Sequence, residues 1–104
     1  MRRGDVYRFR TPKGTGSEQH GVHYGVIVQA DAFLPRSVVV APTSRSARPA
    51  SFRPQISIDD EATRVLVEQL GAVDVQRLGK RVGELTAIEQ WAVDDALRAI
   101  LDLD

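Results

Sequence analysis

Apolar and polar positions alternate in short bursts along most of the chain, and only the end changes to a helical period. Val6-Tyr7-Arg8-Phe9 alternates imperfectly and is built of good strand formers. Tyr24-Gly25-Val26-Ile27-Val28 and Ser37-Val38-Val39-Val40-Ala41 are short apolar runs of the kind that lie buried on both faces. Gln55-Ile56-Ser57-Ile58 alternates as a half-exposed strand, and Thr63-Arg64-Val65-Leu66-Val67 is a further strand candidate. A short last strand is expected around Leu78 to Leu85. Between these bursts the polar stretches read as turns. Thr11 to Gly21 carries Pro12, Gly14, Gly16 and Gly21, and is long for a hairpin connection. Asp31 to Arg36 is interrupted by Pro35. Pro42 to Pro54 holds three prolines and three arginines, which should keep it out of a sheet interior. Asp59-Asp60-Glu61 is an acidic turn.

From Thr86 the period becomes that of a helix. Thr86-Ala-Ile-Glu89 has the spacing of a capping box, in which each side chain satisfies the other's backbone N–H. Ile88, Ala92, Val93, Ala96, Leu97, Ile100 and Leu101 then form one apolar stripe, with Asp94, Asp95 and Arg98 on the other side. A helix this short is marginal alone in water, so the stripe must pack on the sheet. Short strands followed by one helix predict a mainly β fold with a C-terminal helix: a small, strongly bent antiparallel sheet or SH3-like barrel.

The length of 104 residues fits a single domain, 1–104. The chain has no cysteine, which excludes disulfides and thiolate chemistry. Its start carries charge with no apolar run behind it, and no stretch is apolar enough for a membrane span, so a cytoplasmic protein with no membrane attachment is expected. Formal net charge is +0, yet the charges are divided. Residues 1–54 hold nine basic and three acidic residues, or plus six, while residues 55–104 hold five basic and eleven acidic, or minus six. A basic region of this kind either meets phosphate or simply solvates loops.

The groups able to do chemistry sit on the loops flanking the central strands, where function concentrates. The first loop offers Glu18, Gln19, His20 and, at its exit, His23; the second offers Thr43, Ser44, Arg45 and Arg48. Histidine titrates near neutrality and suits proton transfer, and arginine and hydroxyl donors suit a phosphate. Together they fit attack of an RNA 2′-hydroxyl on its own phosphodiester. That reaction needs a proton acceptor, a proton donor and stabilisation of charge on the phosphorane, and no metal. Two histidines without a cysteine leave carboxylates alone to complete a metal site, so neither metal nor cofactor is expected. On residue type alone, His23 reads more readily as a structural histidine at a strand start, Thr43 and Ser44 as turn-forming hydroxyls, and Trp91 as core or dimer packing rather than a base-stacking platform.

Taken in order, these segments resemble the MazF/PemK toxin family. The resemblance rests on Met1-Arg-Arg-Gly-Asp-Val-Tyr7, on Gly16-Ser-Glu-Gln19 with Gly21 and Gly25-Val-Ile-Val-Gln29, and on Val38-Val-Val-Ala-Pro-Thr-Ser-Arg45. It continues through Val65-Leu-Val-Glu-Gln69, Arg77-Leu-Gly79, Gly83-Glu-Leu85 and the final helix. It implies a MazF/CcdB-like sheet with a terminal helix, a symmetric homodimer, and a sequence-selective endoribonuclease that leaves a cyclic phosphate and a 5′-hydroxyl. It further implies a cognate antitoxin whose acidic tail occupies the RNA groove. Thr43 falls on one of the family's two key positions. At the other, His23 stands where the family has arginine, with Tyr24 in place of the following proline. A fixed cationic fork is thereby replaced by a group that can accept a proton. The site read this way has His23 and Thr43 as catalytic residues. Glu18, Gln19, His20, Ser44, Arg45, Arg48 and Gln69 would contact single-stranded RNA. The missing arginine also leaves open a non-enzymatic, CcdB-like gyrase inhibitor acting through the last helix and Trp91, or a catalytically weak relative that only binds the antitoxin.

Overall fold

The computed structural model describes residues 1–9, 23–31 and 36–104. Seven strands and one helix follow in the order β1 (Asp5–Phe9), β2 (His23–Ile27), β3 (Ser37–Ser44), β4 (Gln55–Ile58), β5 (Glu61–Val65), β6 (Gly71–Asp74), β7 (Leu78–Glu84) and α1 (Ala87–Leu101). Two 3-10 turns, Val67–Gln69 and Val75–Arg77, flank β6. All strand pairs are antiparallel, in the order β4-β5-β3-β2-β1-β7, with β6 also paired to β3. The expected mainly β, bent antiparallel sheet with a terminal helix is what forms.

Strand β3 is the pivot of the bend. One edge pairs with β2 through Val40, Ala41 and Pro42. The other edge pairs first with β6, through Ser37 to Val40, and then with β5, through Thr43 and Ser44. Strand β3 therefore runs three residues beyond the expected Ala41, with Pro42, Thr43 and Ser44 inside a strand rather than in the following loop. The physical reason is local. The Pro42 carbonyl accepts from Leu66 N at 2.8 Å, so the missing Pro42 N–H points to the same edge, where the chain leaves the ladder in the Val67–Gln69 turn. No ladder bond is lost.

The β4–β5 connection is tighter than expected. Asp59 and Asp60 alone make the turn, at φ 51° and 63°, and Glu61 opens β5. Strand β5 stops at Val65, with Val67 in the 3-10 turn, and β6 appears where the pattern offered only the isolated apolar Val73.

The core lies on both faces of the sheet. On the helix side Val6, Val26, Ala41, Ile56, Val65 and Val67 enclose Val93 and Ala96 of α1. On the opposite face Ile27, Val38, Val40 and Val73 cluster under Tyr7, Phe9, Val75 and Leu78. Alternation along β2 thus sends Val26 to one core and Ile27 to the other, as a doubly buried strand requires.

The capping box forms as spelled: Thr86 Oγ1 accepts from Glu89 N at 3.2 Å, and Glu89 Oε1 from Thr86 N at 2.9 Å. The second Glu89 oxygen accepts from Ser57 N at 2.8 Å and ties the helix start to β4. The expected stripe is narrower than the sequence suggested. Ile88 is 75% exposed, and Ile100 and Leu101 are also exposed. At 3.6 residues per turn Ile88 points about 140° away from Val93, and the last turn lines an open cleft rather than a packed core.

Candidate functional site

One end of the sheet gathers most of the described candidates. The β2–β3 register reaches Gly25 opposite Pro42. One step further, Thr43 Oγ1 donates to the Tyr24 carbonyl at 3.0 Å, fixing the start of β2 against the end of β3. His23 opens β2 immediately before this contact. On the other edge of β3, Thr43 pairs with Val65, and the chain passes through Leu66 into the Val67–Gln69 turn. That turn presents Glu68 half-buried and Gln69 exposed.

Loop 45–54 closes over the same end. Arg53 donates to Glu68 Oε2 from Nε at 2.9 Å and from Nη2 at 2.6 Å. Its third nitrogen, Nη1, donates to the Arg48 carbonyl at 3.2 Å, and Arg64 Nη1 donates to the Arg53 carbonyl at 2.8 Å. The Arg53 guanidinium also lies over the Phe52 ring, 5.6 Å from its centre. Arg45 pairs with Glu61 at 2.8 Å, with both side chains more than half exposed, so the pair is worth little and is easily exchanged for another anion. Arg48 is exposed, and its guanidinium has no hydrogen bond or ion pair among the described residues.

The expected residues divide accordingly. His23, Thr43, Ser44, Arg45, Arg48 and Gln69 belong to this end of the sheet, while Glu18, Gln19 and His20 lie outside the described residues. Thr43 is buried and its proton is committed to Tyr24. Ser44 Oγ accepts from Ser46 N at 3.3 Å, which is the turn-forming role. Residue-type reasoning passed over Glu68 and Arg53. They stand 15 apart with no periodic relation, and only the fold brings them together.

Among the described residues, two buried side-chain atoms lack a hydrogen-bond partner: His23 Nε2 and Glu68 Oε1. Both sit here. Buried polar atoms are nearly always paired, so two orphans in one region call for a functional account. No three His, Asp or Glu side chains among the described residues come together as a metal-holding group.

A family model described as PemK-like, MazF-like toxin of type II toxin–antitoxin systems matches residues 2–101. A Mycobacterium tuberculosis protein named as a candidate toxin is 43% identical over 105 residues, covering 97% of both chains. The chain belongs to the PemK-like, MazF-like toxin family. Solved structures agree in fold. The Mycobacterium tuberculosis toxin MazF-mt6 superposes with a TM-score of 0.80 at 18% identity, over 96% of this chain and 98% of that one. MazF from Deinococcus radiodurans gives a TM-score of 0.81 at 17% identity, covering 99% and 97%. An endoribonuclease from a mycobacterial species, solved with its cognate antitoxin, gives 0.79 at 22% identity, covering 100% and 97%. In this family frame, His23 and Glu68 are the two groups whose chemistry needs explaining.

Proposed function

We propose that this toxin is a sequence-selective endoribonuclease that cuts single-stranded RNA without a metal. The carrying observation is the pair of atoms without a hydrogen-bond partner among the described residues, Glu68 Oε1 and His23 Nε2, at the end of the sheet that also holds the exposed Arg48. The 2′-oxygen attacks the adjacent phosphorus as its proton passes to a base. The bond to the 5′-oxygen breaks as that oxygen receives a proton. The products are a 2′,3′-cyclic phosphate and a 5′-hydroxyl. Glu68 suits the base: Arg53 holds Oε2, leaving Oε1 as a directed acceptor. His23 suits the donor, or exchanges roles with Glu68. Thr43 holds the start of β2 beside His23, and a phosphate in reach of Oγ1 would compete for its proton. Arg45 and Arg48 offer charge to the phosphate, and Gln69 offers an exposed amide to a base.

The test is a long RNA incubated with the protein in EDTA, with the new ends mapped. Cuts at a defined sequence carrying 5′-hydroxyl ends are expected. Absence of such cuts across pH 5 to 8 rejects the reading. His23→Ala and Glu68→Gln should each lower the rate about 10²–10⁴-fold while the protein stays folded.

A cognate antitoxin, a homodimer and a cytoplasmic setting complete the proposal, in keeping with the family. The gyrase-binding alternative retains one observation in its favour: Trp91 is 66% and Ile88 75% exposed on the outer face of α1.

A further inference from the structure

Arg53 is the hub of the loop: its bonds to Glu68 are part-buried, and its bond to the Arg48 carbonyl lies at the exposed side. Its side chain is 23% exposed, as is that of Glu68. The guanidinium ties three pieces of chain together: its own segment, the Glu68 turn and the Arg48 backbone. Its own backbone is fixed as well, by Arg53 N to the Ala50 carbonyl at 3.0 Å and by Arg64 on the Arg53 carbonyl. The residue so held, Arg48, is the arginine of this loop whose guanidinium is exposed and makes no hydrogen bond or ion pair among the described residues.

We propose that Arg53 is a positioning residue for RNA binding, whose fork clamps the Arg48 backbone so that the Arg48 guanidinium meets an RNA phosphate. The inference rests on the ribonuclease reading above. A planar fork is required. Lysine at 53 could hold Glu68 at one point but could not also reach the Arg48 carbonyl in fixed geometry. A long flexible arginine on an unheld loop loses more side-chain and backbone freedom on binding, so the clamp acts through preorganisation.

The experiment is a double-mutant cycle on binding. The probe is a fluorescent RNA oligonucleotide spanning a mapped cut, with 2′-deoxyribose at the attacking nucleotide so that it binds without being cleaved. Anisotropy is measured over a range of salt. Arg48→Ala should weaken binding about tenfold and lower the log–log salt slope by about 0.7, the loss of one single-strand phosphate contact. Arg53→Lys should reproduce both changes although Arg48 is still present. The double variant should be no worse than Arg48→Ala alone. On cleavable RNA the Arg48→Ala loss should fall on KM rather than kcat, whereas Arg53→Lys, which also loosens the hold on Glu68, should raise KM by the same factor and lower kcat in addition.

Losses that add, an Arg53→Lys defect with an unchanged salt slope, or an Arg48→Ala variant that binds like wild type would each overturn the proposal. Urea midpoints are taken for every variant, and if Arg53→Lys folds poorly, Arg53→Gln enters the same cycle. A wild-type protein that cuts no RNA sinks the ribonuclease reading itself. A wild type that cuts, with additive variants, sinks only the positioning role.

Discussion

Thr43 gives its hydroxyl proton to the Tyr24 carbonyl from a position only 7% exposed, and that bond joins the two strands that frame the site. Thr43→Val keeps the shape and leaves the Tyr24 carbonyl without its donor. A buried unpaired acceptor costs about 1–3 kcal/mol, so the urea midpoint should fall, and Thr43→Ser should restore most of the loss. At the other side of the molecule Asp94 accepts from Arg3 and Gln90 and lies beside Arg98. Burial would raise its pKa, but the Arg3 and Gln90 hydrogen bonds and the two cationic charges outweigh burial and hold it below the usual carboxylate range. A lowered folded-state pKa means stabilisation that is complete above the unfolded pKa and disappears as pH falls through the folded one. Asp94→Asn should therefore unfold more readily than wild type near neutrality, and the gap should close in strong acid. A gap that persists at the lowest pH would show that the side chain acts by shape and not by charge. Residue type placed His23 and Thr43 only among several loop candidates, with ordinary strand-start and turn roles open to both, and needed the family resemblance to single them out. It could not reveal Glu68 or Arg53, since their meaning is a contact between segments that no local pattern encodes.

Elements whose signals were purely local were the most legible. The capping box of α1 is written in four residues and forms in full. The start of β3 at Ser37 was legible and its end was not, because proline reads as a strand breaker unless one knows that its missing N–H faces a 3-10 turn. Strand β6 was missed for a similar reason: with only Val73 buried, it exists because β3 has an edge to offer. The β4–β5 hairpin yields a prediction at this scale. Both turn residues are aspartates in the left-handed region, where a side chain is disfavoured and glycine is not. Asp60→Gly should raise stability by roughly 0.5–1 kcal/mol, on the scale of single-residue turn effects, measured as a higher urea midpoint with unchanged slope. Alanine at the same position should not help, which separates backbone relief from the removal of one acidic charge beside Asp59 and Glu61.

Over the whole molecule the candidate chemistry and the exposed apolar helix occupy different elements, and this separates the functional readings. The half of the sequence with charge plus six supplies His23, Thr43, Arg45 and Arg48; the half with minus six adds Glu68 and Gln69 to the same end of the sheet and supplies α1 with Ile88 and Trp91. If the toxin acts by cutting RNA, growth arrest on expression depends on the β2–β3 end. His23→Ala and Glu68→Gln should then relieve the arrest, while Trp91→Ala, on an exposed position, should leave both arrest and 5′-hydroxyl ends in cellular RNA. If it acts by docking α1 on gyrase, the pattern reverses. Trp91→Ala would relieve the arrest, His23→Ala would keep it, and supercoiling rather than RNA would be the affected product. Because Trp91 is the sole tryptophan and is 66% exposed, its emission also shows directly whether α1 becomes covered. A blue shift on adding the protein made from the neighbouring reading frame, with rescue of growth, would place the antitoxin on α1. Rescue without that shift would place it at the β2–β3 end, in competition with RNA. The expected result is rescue, relief of arrest by His23→Ala, and no relief by Trp91→Ala.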